Sequence, residues 1–450
     1  MKKKLQENLK VDVNGKINFK NKVYLPRYSI KRTEKIFKDH MTNFFKSKNY
    51  NDTIVDGYHT IMHSWPYFYW FYFFPRSTYP AFFENINLKV DWKKYSIKSK
   101  NFFLSEYFFL RSYKGGILRL YLKYFIFYLL IIINWPLKKN KIWVFNDFRK
   151  DYKFYFLKKK STNDLYFFKY RFPGTKDLSL DINKAICQHS QNINYSVNLW
   201  SWAFKMLKPK KIIMLDNLFN DSSILLAAKK HNIKTIGISH GSFYKCTKYL
   251  IGEKHLYKKK NLIFDKLYVW HEIFSKLLIK NSFIYDKKNI FISGWLESKK
   301  IKKIKKIKKQ TKVILAAHED VSDIISYVNL IKFYLKKDFK IIFKKRPDIK
   351  DYSYLMNLQN KLKIVDNFSD EDYQECDFAI ACKSSIVFNY FFRGIPVVIP
   401  KTGLNLLEDL NLNKNIFIFK KDLHINLWKK KVPVLNKPSL SSKFLKEFKL

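Results

Sequence analysis

A chain of 450 residues has room for about two or three domains, and at 47% hydrophobic it buries real cores, which excludes a disordered chain. Its 87 basic residues against 37 acidic ones give a formal charge of +50. That balance points to an anionic membrane or a nucleic acid as partner. However, Lys, Asn, Ile, Phe and Tyr in excess over 11 Gly and 12 Pro is also what AT-rich coding imposes on any protein.

The first stretch, MKKKLQENLKVDVNGK, has no apolar core, so no secretory signal is expected. Residues 1–140 read as an aromatic and basic extension. Within it, HSWPYFYWFYFFPRSTYPAFF (63–83) is either a core segment or an interfacial patch. LRLYLKYFIFYLLIIINWPLKK (118–139) is apolar between basic flanks. Its apolar stretch, YFIFYLLIII (124–133), is too short to span a bilayer, which takes about 20 residues, but the segment can lie on one. No RNP-like or other nucleic-acid motif accompanies these aromatics, so no nucleic acid is expected as partner.

From Lys141 the pattern alternates. KIWVFND, KIIMLDN, KTIGISHG, KLYVWHE and NIFISGW read as strands, with SSILLAAKKHN (222–232) as a helix. WLESKKIKKIKKIKKQ (295–310) reads as a solvated linker or basic helix face. A second set follows: strands KVILAAHED, KIIFKKRPD, LKIVDNFSD, CDFAIAC and IPVVIP, with a helix over 321–337. Alternation of this kind predicts an α/β chain with two Rossmann-like domains, 141–300 and 301–425, followed by a basic tail, 426–450. Cys187, Cys246, Cys376 and Cys382 show neither CxxC spacing nor a histidine at ligand spacing. Zinc and a disulfide framework are therefore not expected, and a reducing cytoplasm fits.

Four places carry candidate chemistry. Ser384-Ser385 stands between strand CDFAIAC and helix SIVFNYFF; Ser384 is expected at the N-cap and Ser385 in the first turn, where two hydroxyls and free N–H groups suit a phosphate. Simple capping is the structural alternative. Lys345 and Arg346 leave strand KIIFKK just before Pro347, as cations for a phosphate leaving group or as ordinary surface charges. In SHGSFYK, scarce glycines (Gly237, Gly241) bracket His240, with Lys245 at helical reach. A histidine there suits a general base, and Asp216 at the end of KIIML could orient it or be the base itself. Glu319 and Asp320 open the second set from the opposite side, with Asp320 also a plausible helix N-cap.

HGSFYK (240–245), SSIVFNY (384–390) and Arg346-Pro347 resemble motifs of the GT-B glycosyltransferases of bacterial surface polysaccharides. The first two are similar to HGTPLK and SS-x-x-F-D-Y of the CDP-glycerol glycerophosphotransferases. The second and third are similar to the SS and HP motifs of CMP-sialic acid and CMP-Kdo transferases. The resemblance covers roughly residues 140–420 and departs where Arg346 replaces the HP histidine and Asn389 the acidic residue.

It implies a GT-B-like fold with a cleft between the two domains. It also implies an inverting, metal-independent transfer of sugar from a nucleotide-activated donor to a glycan or lipid-linked acceptor, in capsule or lipopolysaccharide synthesis. His240 or Asp216 would take the acceptor proton, and Ser384, Ser385, Arg346 and Lys345 would hold the donor phosphate, with no cofactor. The place implied is the cytoplasm, at the inner membrane face. Rival readings are a glycerophosphotransferase or a sugar-nucleotide epimerase of the same fold, and a non-catalytic basic protein binding membrane or nucleic acid.

Overall fold

A computed structural model describes residues 10–11, 17–19, 22–24, 54–55, 58–59, 117–138, 140–145, 165–168, 196–215, 222–239, 264–281, 285–295, 310–318, 324–345, 358–381, 384–400, 410, 412, 414–420, 427–430 and 432–447. Of the N-terminal region it gives a small antiparallel sheet (Lys10–Val11, Ile17–Phe19, Lys22–Tyr24), a hairpin (Ile54–Val55 with Tyr58–His59) and helix α1 (Ile117–Lys138). The aromatic segment 63–83 and most of the Lys/Ile linker lie outside the described residues.

The first domain is a six-stranded sheet built from β1 (Ile142–Phe145), β2 (Leu165–Phe168), β3 (Lys211–Leu215), β4 (Lys234–Ile238), β5 (Lys266–Val269) and β6 (Ile290–Ile292). Its spatial order is β6-β5-β4-β3-β1-β2, and every pairing is parallel. Runs such as IWVF and KIIML make strands because β-branched and aromatic side chains fit a pleated surface. A parallel sheet covered on both faces then tolerates continuous apolar runs. Helix α2 (196–207) lays Trp200 against Phe145 (5.2 Å) and Phe204 against Trp143 (5.8 Å). Helices α3 (Ser222–Lys230) and α4 (Glu272–Asn281) follow β3 and β5.

The second domain repeats the plan with β7 (Val313–Ala317), β8 (Lys340–Lys344), β9 (Leu362–Val365), β10 (Cys376–Ile380), β11 (Val397–Ile399) and β12 (Ile416–Ile418), ordered β9-β8-β7-β10-β11-β12, again all parallel. Both β7 and β10 are buried along their whole length. Helix α5 (Ile324–Leu335) packs Tyr327, Leu330, Ile331 and Tyr334 inward. Helix α6 (Asp370–Glu375) starts on a capping box. The Ser369 hydroxyl accepts from Asp372 N–H (3.1 Å), and the Asp372 carboxylate accepts from Ser369 N–H (2.9 Å). Where the chain enters this domain, the Asp377 carboxylate accepts from the backbone N–H groups of Thr311 (3.1 Å) and Lys312 (2.9 Å). The expected α/β architecture of two Rossmann-like domains is the observed one.

The two domains meet through aromatic rings. Phe388 and Phe392, from helix α7 (Val387–Phe391) and its C-cap, pack on Phe274 (5.1 Å) and Trp295 (6.0 and 5.1 Å) of the first domain. Such pairs add about 0.5–1.5 kcal/mol each beyond the area they bury.

Residues 432–447, within the segment read from composition as a basic tail, form a strap across both domains. Leu435 N–H donates to Phe391 O (3.1 Å) in the second, while Trp295 N–H donates to Pro438 O (3.1 Å) and Ser441 N–H to Ser293 O (2.9 Å) in the first. Gly294, at φ +84°, lets the strap cross: a Cβ there would stand 2.0 Å from Ser439 O. The strap ends in helix α8 (Ser442–Glu447), which buries Phe444 against Tyr268 (5.1 Å). The Glu447 carboxylate then takes Lys211 (3.1 Å), Lys266 and the Tyr268 hydroxyl (3.3 Å) as partners.

Candidate functional site

In an open parallel sheet, ligands bind beyond the carboxyl ends of the strands where the winding reverses, because the two flanking connections leave to opposite faces and open a crevice. The first sheet reverses between β1 and β3, and the second between β7 and β10. Strand β3 ends at Leu215, paired in register with Ile238 of β4. Asp216 and His240 follow these ends in sequence; both lie outside the described residues, as do Gly241, Lys245, Glu319, Asp320 and Arg346. Ser384, Ser385 and Lys345 are described.

The serines follow β10, at the reversal of the second sheet. Their local geometry corrects the expectation from sequence. Helix α7 begins at Val387, and its N-cap is Ile386, in helical conformation and with no side-chain capping bond. Ser384 and Ser385 stand one turn earlier. Their carbonyls accept from Val387 N–H (3.3 Å) and Phe388 N–H (3.2 Å), and Ile386 O accepts from Asn389 N–H (2.9 Å). These i→i+3 bonds wind a tight turn ahead of the helix proper, which displaces the cap position by two residues. Both serines are partly exposed.

Lys345 follows β8, one strand beyond β7 from the serines. Its N–H donates to Val365 O (2.8 Å), and its ammonium lies 3.9 Å from the exposed Asp366 carboxylate, a loose pair that leaves the side chain half open to solvent.

Several residues that shape this edge carried no signal in the sequence. Tyr327, from α5, is fully buried across the reversal: its hydroxyl accepts from Ala317 N–H (3.0 Å) and donates to Ala317 O (2.7 Å), with Ile380 O at 3.4 Å. It ties the ends of β7 and β10 together. In the first domain, Ser239, the residue before His240, is fixed from two sides. Its N–H donates to Tyr268 O (2.8 Å), and its carbonyl accepts from the Trp270 indole (2.9 Å). Gly237, one of the two glycines that bracket His240 in sequence, makes room for a side chain: a Cβ there would lie 2.3 Å from the Phe264 ring.

His271, after β5, is buried. Its Nδ1 accepts from Ile273 N–H (3.2 Å), so its Nε2 carries the proton and donates to Asn436 O of the strap (3.3 Å). Burial pushes its pKa down, and the neighbouring Lys276 adds to this, outweighing the Asn436 carbonyl and Glu272. The imidazole is a neutral link between domain and strap. Among the described residues no three His, Cys, Asp or Glu side chains come together as metal ligands.

No protein-family model matches the chain, and no curated protein matches it. Similar solved structures include a UDP-GlcNAc 2-epimerase from Neisseria meningitidis bound to UDP-GlcNAc, with 13% identity, 68% of this chain and 98% of that one covered, and a TM-score of 0.43. The epimerase from Methanocaldococcus jannaschii gives 13% identity, 71% and 92% coverage and a TM-score of 0.39. The wall teichoic acid polymerase TagF gives 15%, 74% and 93%, and 0.34. At such scores the likeness carries no inference about chemistry, which rests on this chain's own residues.

Proposed function

We propose that the chain is a glycosyltransferase that moves a sugar from a nucleotide-activated donor to a surface glycan or lipid-linked acceptor. The observation that carries this reading is topological: the Ser384-Ser385 pair follows β10, at the winding reversal of the second parallel sheet. The order of HGSFYK, Arg346-Pro347 and SSIVFNY along the chain supports it.

In the proposed reaction the acceptor hydroxyl gives its proton to His240 or Asp216. Its oxygen bonds to the anomeric carbon from the face opposite the leaving group. The bond from that carbon to the phosphate oxygen breaks, and the nucleotide keeps the electron pair. Ser384, Ser385, Lys345 and Arg346 would stabilise the charge that develops there, with Gly241, Lys245, Glu319 and Asp320 as further cleft candidates. A CDP-glycerol-type phosphotransfer is the second reading, favoured by the likeness of HGSFYK and SSIVFNY to that family's motifs.

Calorimetry with CMP, CDP, UDP and GDP, each beside its nucleoside, tests the donor half. The Ser384→Ala/Ser385→Ala protein should stay folded, with a loss of stability no larger than about 2 kcal/mol, the upper end for a helix-start contact. It should bind nucleotide at least about tenfold more weakly, from loss of hydrogen bonds to a charged group. Nucleoside binding should be unchanged, and Arg346→Ala should behave alike. Unaltered nucleotide affinity in both variants would remove the donor-phosphate assignment.

A further inference from the structure

We propose that α1 is an anchor that lies in, without crossing, the surface of an anionic lipid leaflet. Residues 124–137 of this helix carry no charge. Tyr124, Phe127 and Ile131 turn into the first domain, with Phe127 on Trp200 at 5.1 Å. That accounts for one side only. Leu122, Phe125, Leu129, Ile132, Ile133 and Leu137 are exposed, Phe125 to 63% and Leu137 to 70%. At 3.6 residues per turn they span about 140° of the circumference, and Trp135, also exposed, widens the arc to about 200°. A helix apolar all round belongs in a protein core or in lipid. Here one face has the core.

Charge decides what meets the other face. No Asp or Glu occurs between residues 107 and 146, whereas Arg119 and Lys123 precede the apolar run and Lys138, Lys139 and Lys141 follow it. A second copy seated on this face would bring two cationic flanks together in a chain of net charge +50. An anionic leaflet offers the opposite sign at both ends, and a fluid interior that fits a convex apolar surface without a shaped partner. Trp135 and Tyr128 suit the headgroup layer. The uncharged run is about 21 Å long, short of the roughly 30 Å hydrocarbon core, so the helix lies along the surface. Among the described residues no helix is long and apolar enough to cross a membrane. The inference is independent of donor chemistry, since its test reads partition and not turnover.

Flotation of the full-length protein with phosphatidylcholine vesicles, with and without phosphatidylglycerol, tests it. Binding to the anionic vesicles should exceed that to neutral ones at least about tenfold at low salt and weaken, without vanishing, at high salt. Phe125→Asp/Ile132→Asp alters exposed positions only, so it should melt like the wild type and lose vesicle binding at least about tenfold. Lys138→Glu/Lys139→Glu should lose the preference for anionic lipid and keep residual binding. Three results would overturn the proposal: no flotation of the wild type, unchanged flotation of the Asp variant, or a wild-type dimer that the Asp variant dissociates, which would make the face a protein interface.

Discussion

The two domains share a plan and differ in how they are completed. The second is made of contiguous residues: its sheet, its helices and the Asp377 clasp on Thr311 and Lys312 all fall between 311 and 430. The first closes only when residues 432–447 return to it, burying Phe444 on Tyr268 and joining Glu447 to Lys211 and Lys266. Sequence-local domains hold themselves, whereas the first domain's integrity is bound to a segment that arrives after the other domain.

Removing residues 432–450 should separate the two most strongly. The first domain should lose protection in hydrogen exchange at β5 and β6, while β7 and β10 keep theirs. Equal loss in both domains would break the distinction.

A narrower probe is Gly294→Ala. It adds a side chain at φ +84°, where its Cβ meets the Ser439 carbonyl, so the strap must move. The expected cost is above about 2 kcal/mol in thermal or urea unfolding. Gly394, also at positive φ (+68°), has a flexible Val434 side chain as its nearest neighbour at 3.0 Å and should cost less.

The smallest effect concerns pH. Burial raises the Glu447 carboxyl, but the Lys266 and Lys211 ammoniums outweigh it and hold the group below the usual glutamate range. Its contribution is therefore complete above about pH 4.5 and is lost as pH falls. His271 is also lowered, so its contribution is complete above about pH 6.5 and is lost as pH falls from there, when the unfolded chain binds its proton first. Acidification should loosen the strap in two stages. In melting curves against pH, His271→Gln should flatten the first stage alone and Glu447→Gln the second.

The sheets were legible because buried parallel strands are continuous apolar runs: VILAA and CDFAI announce themselves. The strap was not, because Lys, Pro and Ser at 437–443 resemble a solvated tail, and its bonds are backbone contacts to residues such as Ser293, about 150 positions away. Strands Leu165–Phe168 and Ile416–Ile418 escaped because edge strands of three or four residues hold too little pattern. At the site, the position of the serines after β10 followed from strand and glycine signals, but the turn that moves the cap to Ile386 did not. Nothing in the residue types distinguishes an i→i+3 start from a helical one. Tyr327 was invisible for a related reason: in a chain with 30 tyrosines, only the backbone atoms that surround its hydroxyl single it out.

The strap also sets a clock. About 150 residues separate the end of β6 from Glu447, and at 5–20 residues per second a ribosome needs roughly 8 to 30 s to make them. Throughout that interval the nascent chain displays Tyr268 and Phe291 without Phe444 over them, long enough for a chaperone to bind, and a message cut short after the second domain would yield a protein that never leaves that state.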